Sequence, residues 1–283
     1  EDAKYEPATL MEMPRIFTDP EFRKKKLERA TNPTVVDFWE KEAIKTSGEQ
    51  GLANMTPYIT SKFGNFIAND YMRPIIGQEK SAFNFREVMD GSKILLVNLA
   101  KGRIGDINAG LLGMIITGRI LLAALSRTDL DESERKDFYL YIDEFQNFTT
   151  DSIAVILSEA RKYRLDLILA HQFIAQLTTE IREAVFGNVG SLAAFRVGPG
   201  DTEQLVKHFG PTFTERDLIT IENQNAVGKL LIKGEPSTPF NFKTVSAPKG
   251  SAEVREKLKE LSRLTYGRDL AEVEQEILTR LRG

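Results

Sequence analysis

The stretch Phe138-Tyr-Leu-Tyr-Ile-Asp143-Glu144 sets two acids directly after a run of apolar and aromatic residues. Such a run predicts a buried strand, and in open α/β sheets ligands gather at the carboxyl ends of strands. An acid there can hold a hydrated Mg²⁺ ion, and the next can orient and deprotonate an attacking water. Two solvated acids closing a strand would read the same way. Gln172 follows a further apolar run, Leu165-Asp-Leu-Ile-Leu-Ala170, by way of His171. If the two strands are neighbours, Gln172 reaches the same sheet edge, where an amide can sense a γ-phosphate or the attacking water; alone it is an ordinary loop glutamine. Arg161 stands near the end of a helix predicted from about Asp151 to Tyr163. A helix of that length runs roughly 20 Å back across the sheet, so Arg161 lies far from Asp143 of its own chain and could instead reach a phosphate held by a neighbour in a ring. The same Arg161-Lys162 pair would also serve to stabilise a helix C-terminus.

The elements that must position these residues alternate. Apolar runs at Lys93–Leu99, Phe138–Ile142, Leu165–Ala170 and Ser191–Val197 are separated by helical stretches at Gly110–Leu125, Asp151–Tyr163, about Ala175–Phe186 and about Asp201–Phe209. Short buried strands alternating with helices predict an α/β fold with a mainly parallel sheet flanked by helices. Ala226–Ile232 and Phe240–Thr244 read as a closing hairpin through Gly234 and Pro236. Upstream, residues 8–75 form short amphipathic helical pieces punctuated by Pro14, Pro20, Pro33, Pro57 and Pro74. The basic run Arg23–Lys26 there reads as a solvated helix face or, less simply, a DNA contact. Residues 251–282 are highly charged helix with leucine stripes. The expected organisation is a helical insert over 1–78, a core over 79–248 and charged helices over 249–283.

Composition narrows the chemistry. The 283 residues carry a net charge of −3, so no global basic field marks a nucleic-acid binder and any DNA contact is local. There is no cysteine and only His171 and His208 for imidazole, which excludes disulfides and thiolate zinc sites and argues against a multi-histidine metal centre. The most apolar stretch, Gly110–Leu125, is interrupted by Arg119 and is expected to be a buried helix rather than a membrane span. Beginning at Glu1 without a methionine, the chain reads as a piece of a longer protein.

Three blocks, Leu140-Tyr-Ile-Asp143-Glu144-Phe-Gln-Asn-Phe148, Ser158-Glu-Ala-Arg161-Lys-Tyr-Arg-Leu165 and Ala170-His-Gln172, together resemble the HerA/FtsK superfamily of DNA-pumping ATPases. More narrowly they are similar to conjugative type IV secretion coupling proteins of the TraG/TraD kind. The resemblance covers about residues 80–248. It implies a RecA-like P-loop fold in which Asp143 and Glu144 are the Walker B pair, binding Mg²⁺ through water and acting as catalytic base. It implies that Arg161 is an arginine finger, that Gln172 is the nucleotide sensor, and that Lys207 is a basic residue acting across the subunit interface. Lys207 would otherwise be a surface lysine. In Asn98-Leu-Ala-Lys101-Gly-Arg103, Lys101 or Arg103 would face DNA or solvent.

The ligands so implied are ATP and Mg²⁺. The implied partners are DNA, five further copies in a hexamer, and secretion-channel or relaxosome proteins. The implied location is the cytoplasm, at the inner face of the bacterial inner membrane where parts outside this chain attach it. A secretion ATPase powering protein export or pilus assembly, and a degenerate subunit that keeps the fold for assembly, share these blocks. One departure stands out: no G-x-x-x-x-G-K-[ST] occurs. Gly77-Gln-Glu-Lys80-Ser81 lacks the glycine before lysine, and Gly228-Lys229-Leu230 lacks the hydroxyl. The family carries that motif upstream of the helical insert, so this chain alone is expected to bind ATP poorly and to be inactive.

Overall fold

The structure, a computed structural model, describes residues 8–43, 48–148 and 151–282. The fold is mixed α/β with a small parallel sheet. The chain divides into two compact units, and each is discontinuous in sequence. One comprises the segments up to Phe83, Leu99–Ala109 and Glu253 onward; the other comprises Asn84–Asn98 and Gly110–Ala252.

The first unit is helical. Its short helices start where the sequence supplies caps. Thr9 and Glu12 form a capping box, and the Asp19 side chain accepts from the Phe22 amide (3.0 Å) ahead of the helix Pro20–Leu27. Asn32 does the same ahead of Pro33–Asp37, and in both helices proline occupies the first turn, where its missing N–H costs nothing. The C-terminal charged segment is two helices, Ala252–Tyr266 and Leu270–Arg282. The second docks within this unit: Val273 and Ile277 are buried with Met11, and Arg280 pairs with Glu12 (3.0 Å) and Glu79 (3.1 Å). Arg15 caps its end by donating to the carbonyls of Arg280 (3.3 Å) and Leu281 (3.4 Å). In the basic run Lys24 and Lys25 are exposed, as a solvated face requires, and Arg23 departs from that reading. Arg23 is buried, donating to the carbonyls of Ile16 (3.1 Å) and Phe17 (3.4 Å), because those carbonyls close the preceding helix and need donors.

The second unit holds the strands. β1 (Phe138–Ile142) pairs in parallel with β2 (Leu165–Leu169), Phe138 opposite Leu165 and Ile142 opposite Leu169. Their crossover is the helix Asp151–Glu159, tightened into a 3₁₀ turn over Ala160–Tyr163. One face of the pair packs Phe138, Leu140, Leu165 and Leu167 against Ile120, Leu121 and Ala124 of the helix Asp106–Leu125. That helix is 20 residues long, and it is long and apolar enough to cross a membrane by length and composition alone. Here its last turns supply core residues.

Two of the four expected parallel strands differ. Lys93–Leu99 forms no strand; Ile94 and Leu96 are 88% and 85% exposed. Apolarity favours a strand only where a neighbour completes the backbone ladder, and none of the described strands pairs with this run. Ser191–Val197 contributes only β3 (Leu192–Ala194), which pairs antiparallel with β4 (Asn225–Lys229), itself antiparallel to β7 (Phe240–Lys243). Two short strands, β5 (Leu231–Ile232) and β6 (Glu235–Pro236), form the turn of the expected hairpin, with Gly234 at φ +88°. Among the described residues the result is three separate sheets, β1–β2, β3–β4–β7 and the short β5–β6, rather than one parallel sheet; the return segment Asn225–Lys229 occupies an edge of β3.

Candidate active site

β1 and β2 end in register, and that places the candidate residues side by side. The ladder continues one step beyond the strands: the Ala170 amide donates to the Ile142 carbonyl (3.0 Å), and the Phe145 amide donates to that of Ala170 (3.1 Å). Asp143–Glu144 and His171–Gln172 therefore leave the same end of adjacent parallel strands. At Glu144 the backbone turns sharply, with φ +52°, a left-handed conformation that a residue with a side chain adopts at a cost of about 1–3 kcal/mol. The surroundings hold it there. The Asp143 carboxylate accepts from the Glu144 amide (3.0 Å), and Asn147 donates to the Glu144 carbonyl through both its amide (3.0 Å) and its side chain (2.9 Å).

The Glu144 carboxylate is gripped by two amides. Gln172 Nε2 donates to Oε1 at 2.6 Å, and Gln146 Nε2 donates to Oε2 at 2.6 Å. One amide comes from the neighbouring strand's end and one from the 3₁₀ turn Phe145–Phe148. The turn is anchored beneath. Phe145 is fully buried with its ring edge-to-face on His171 (5.0 Å, 85°), and Phe148 lies against Gly113, where an added Cβ would come within 2.1 Å of its ring. Past Gln172, the buried Asp201 accepts from the Ile174 amide (3.2 Å), tying this loop to the helix Pro199–Phe209.

Gln172 thus meets Glu144 as their spacing suggests. Asp143 sits beside them, exposed. Among the described residues no three or more His, Asp or Glu side chains converge to hold a metal. A lone exposed carboxylate suits Mg²⁺, which keeps most of its waters and takes one or two carboxylates along with substrate phosphates.

Arg161 is at the other end. It precedes β2, in the turn whose Arg164 carbonyl accepts from the Phe138 amide (2.9 Å), the first residue of β1. The length of a five-residue strand, roughly 16 Å, separates that end from Asp143. Arg161 is exposed, and its charge is felt at Asp166, whose pKa is raised by burial and by Asp137 against the opposing pull of Arg164 and Arg161. Lys207 is also exposed, near the C-terminal end of its helix, with Gln204 (3.3 Å) and Glu203 (3.8 Å) as its partners. The geometry does not bring it to the Glu144 cluster. Next to it His208 stacks on Phe186 (5.1 Å), and burial, then Lys229 and Lys207, hold its pKa below the ordinary value. Lys101 and Arg103 belong to the first unit, on the short helix Lys101–Ile104.

Gln146 and Asn147 escaped the sequence reading. Their signal was present in Phe145-Gln-Asn-Phe148, two amides framed by two aromatics directly after the acids. No family model matches the chain, and no curated protein matches it either. What the cluster offers chemically is a carboxylate of fixed orientation, an exposed carboxylate one residue before it, and an amide that bridges two strand ends.

Proposed function

We propose that this chain is part of an ATP-driven DNA translocase of the type IV secretion coupling kind, a RecA-like motor that hydrolyses ATP between the subunits of a hexameric ring. The observation that carries the reading is the contact between Gln172 and Glu144 across the ends of two adjacent parallel strands. A base that must take a proton from water gains from a fixed orientation, and an amide touching it can report whether a γ-phosphate is present. In this reading Asp143 holds hydrated Mg²⁺ and Glu144 activates the water. Gln172 exchanges its bond to Glu144 for one to the phosphate, which couples the nucleotide state to the loop that follows. Arg161, remote from its own Glu144, stabilises charge on a neighbour's nucleotide, a contribution of about 10³–10⁵ in rate for arginines of this kind. Lys207 acts across the same interface. The phosphate loop that this chain lacks is supplied from outside these residues, and the protein works at the cytoplasmic face of the bacterial inner membrane, passing DNA towards a secretion channel.

The test is Glu144→Gln in the intact protein. Turnover is expected to fall to background while ATP binding persists, because the amide keeps the shape and cannot accept the proton. Normal hydrolysis by that variant would remove Glu144 from the mechanism.

A further inference from the structure

Five cations gather where β1 and β2 begin: Arg127, Arg135, Arg161, Lys162 and Arg164. Four are engaged. Lys162 pairs with Glu159 (3.3 Å) and Arg164 with Asp137 (3.4 Å). Arg127, fully buried, donates through Nε to Asp90 (3.0 Å) and through Nη1 to the carbonyls of Lys136 (2.9 Å) and Tyr163 (3.0 Å). Arg135 donates through Nη1 to the Lys162 carbonyl (2.6 Å) and through Nη2 to that of Leu130 (2.8 Å). Its Nε reaches the Arg127 carbonyl (3.0 Å), and the guanidinium lies 5.6 Å from the centre of the Tyr163 ring. Arg161 is exposed, and its side chain makes no ion pair with another described residue.

Two of the engaged arginines, Arg127 and Arg135, hold the main chain on which Arg161 stands. Successive carbonyls, those of Lys162 and Tyr163, each accept from a different guanidinium. The turn then closes through the Arg164 amide onto the Arg161 carbonyl (3.0 Å), with Arg164 in the left-handed region at φ +55°. A side chain needed at the turn's surface for solubility alone has no use for so much backbone restraint. A side chain that must meet an anion on another molecule does, since a misplacement of about 1 Å costs on the order of 10²-fold in rate.

We infer that Arg127 and Arg135 are positioning residues for Arg161, fixing the 160–164 turn so that its guanidinium is presented outward to a neighbouring subunit's nucleotide. The inference rests on the proposed action of Arg161 in trans. Arg135 is the residue to change, since it is half-buried whereas removal of Arg127 endangers the fold.

In the intact protein, Arg135→Ala is expected to lower kcat by about 10–100-fold with KM for ATP unchanged, and Arg135→Lys to recover only part of the loss, because an ammonium cannot fork between carbonyls. Hydrogen exchange at residues 160–165 of this chain should quicken in the alanine variant. The deciding measurement mixes subunits. An Arg135→Ala subunit has an intact Glu144, and a Glu144→Gln subunit has an intact Arg161 turn, so mixed rings should regain activity, as should rings mixing Arg161→Ala with Glu144→Gln. Recovery in the Arg161 mixture but not in the Arg135 mixture, an unchanged kcat, or unchanged exchange would overturn the positioning role alone. Absence of recovery in the Arg161 mixture would overturn action in trans, and the positioning role with it.

Discussion

Gly113 and Gly118 lie on the same helix, Asp106–Leu125, and the structure assigns them opposite responses to alanine. A Cβ on Gly118 would meet nothing within 4 Å, whereas one on Gly113 would lie 2.1 Å from Cδ1 and 2.3 Å from Cε1 of Phe148. In a helix interior alanine is favoured over glycine by about 1 kcal/mol, so Gly118→Ala should stabilise by about 0.5–1 kcal/mol. At Gly113 the same gain meets an overpacking cost of about 1–3 kcal/mol. Phe148 is buried and closes the turn that begins after Glu144, so its ring retreats only by moving that turn. The clash wins, and the two variants should differ by on the order of 2 kcal/mol, a gap of about 4–8 °C in Tm for a unit of this size. Thermal unfolding of the two variants at one pH measures it. In the intact protein Gly113→Ala should also slow hydrolysis, because Gln146 and Asn147 ride on the displaced turn. Equal stability of the two variants would refute the packing of Phe148 on Gly113 and the argument that this helix sets the Glu144 turn.

Three further expectations concern the second unit. Arg127→Ala should destabilise by about 2 kcal/mol or more in urea unfolding, since the fully buried side chain is lost and the part-buried carbonyls of Lys136 and Tyr163 lose this donor at about 1 kcal/mol each, while Asp90 keeps Arg86. His208, held below its ordinary value of 6.5 chiefly by burial, binds fewer protons folded than unfolded. Stability should therefore fall as pH drops through about 6.5 and below, and His208→Gln should flatten that slope between pH 5 and 7. Asp166, raised above 3.8 chiefly by burial, is the reverse case: the folded state holds its proton more tightly. Stability is lost as pH rises from the ordinary carboxylate range through the raised value, so Asp166→Asn should raise Tm at pH 7 and change it least near pH 3.

What could be read from the sequence follows from what local pattern encodes. Phe138–Ile142 and Leu165–Ala170 are apolar runs separated by one helix length, and consecutive strands so connected usually lie side by side; that pairing brought Gln172 to the Glu144 edge. Lys93–Leu99 carries the same apolar signal and forms no strand, because a strand is a property of a pair and the run itself says nothing of its partner. Ser191–Val197 failed in another way: pairing direction is decided by where Asn225–Lys229 returns, a long-range fact. The grip of Gln146 and Asn147 depends on a positive φ at Glu144, and glutamate gives no warning of that conformation as glycine would. Arg23 looked like surface charge because sequence shows the cation and not the helix-end carbonyls that call it inward.

The most direct test of the central claim is ATP hydrolysis by the intact protein, with and without added DNA, with Glu144→Gln measured alongside. Strong stimulation by DNA, abolished in the variant, is the expected result. Hydrolysis indifferent to DNA would contradict the translocase and favour an ATPase that powers protein export, and hydrolysis surviving in the variant would contradict the site itself.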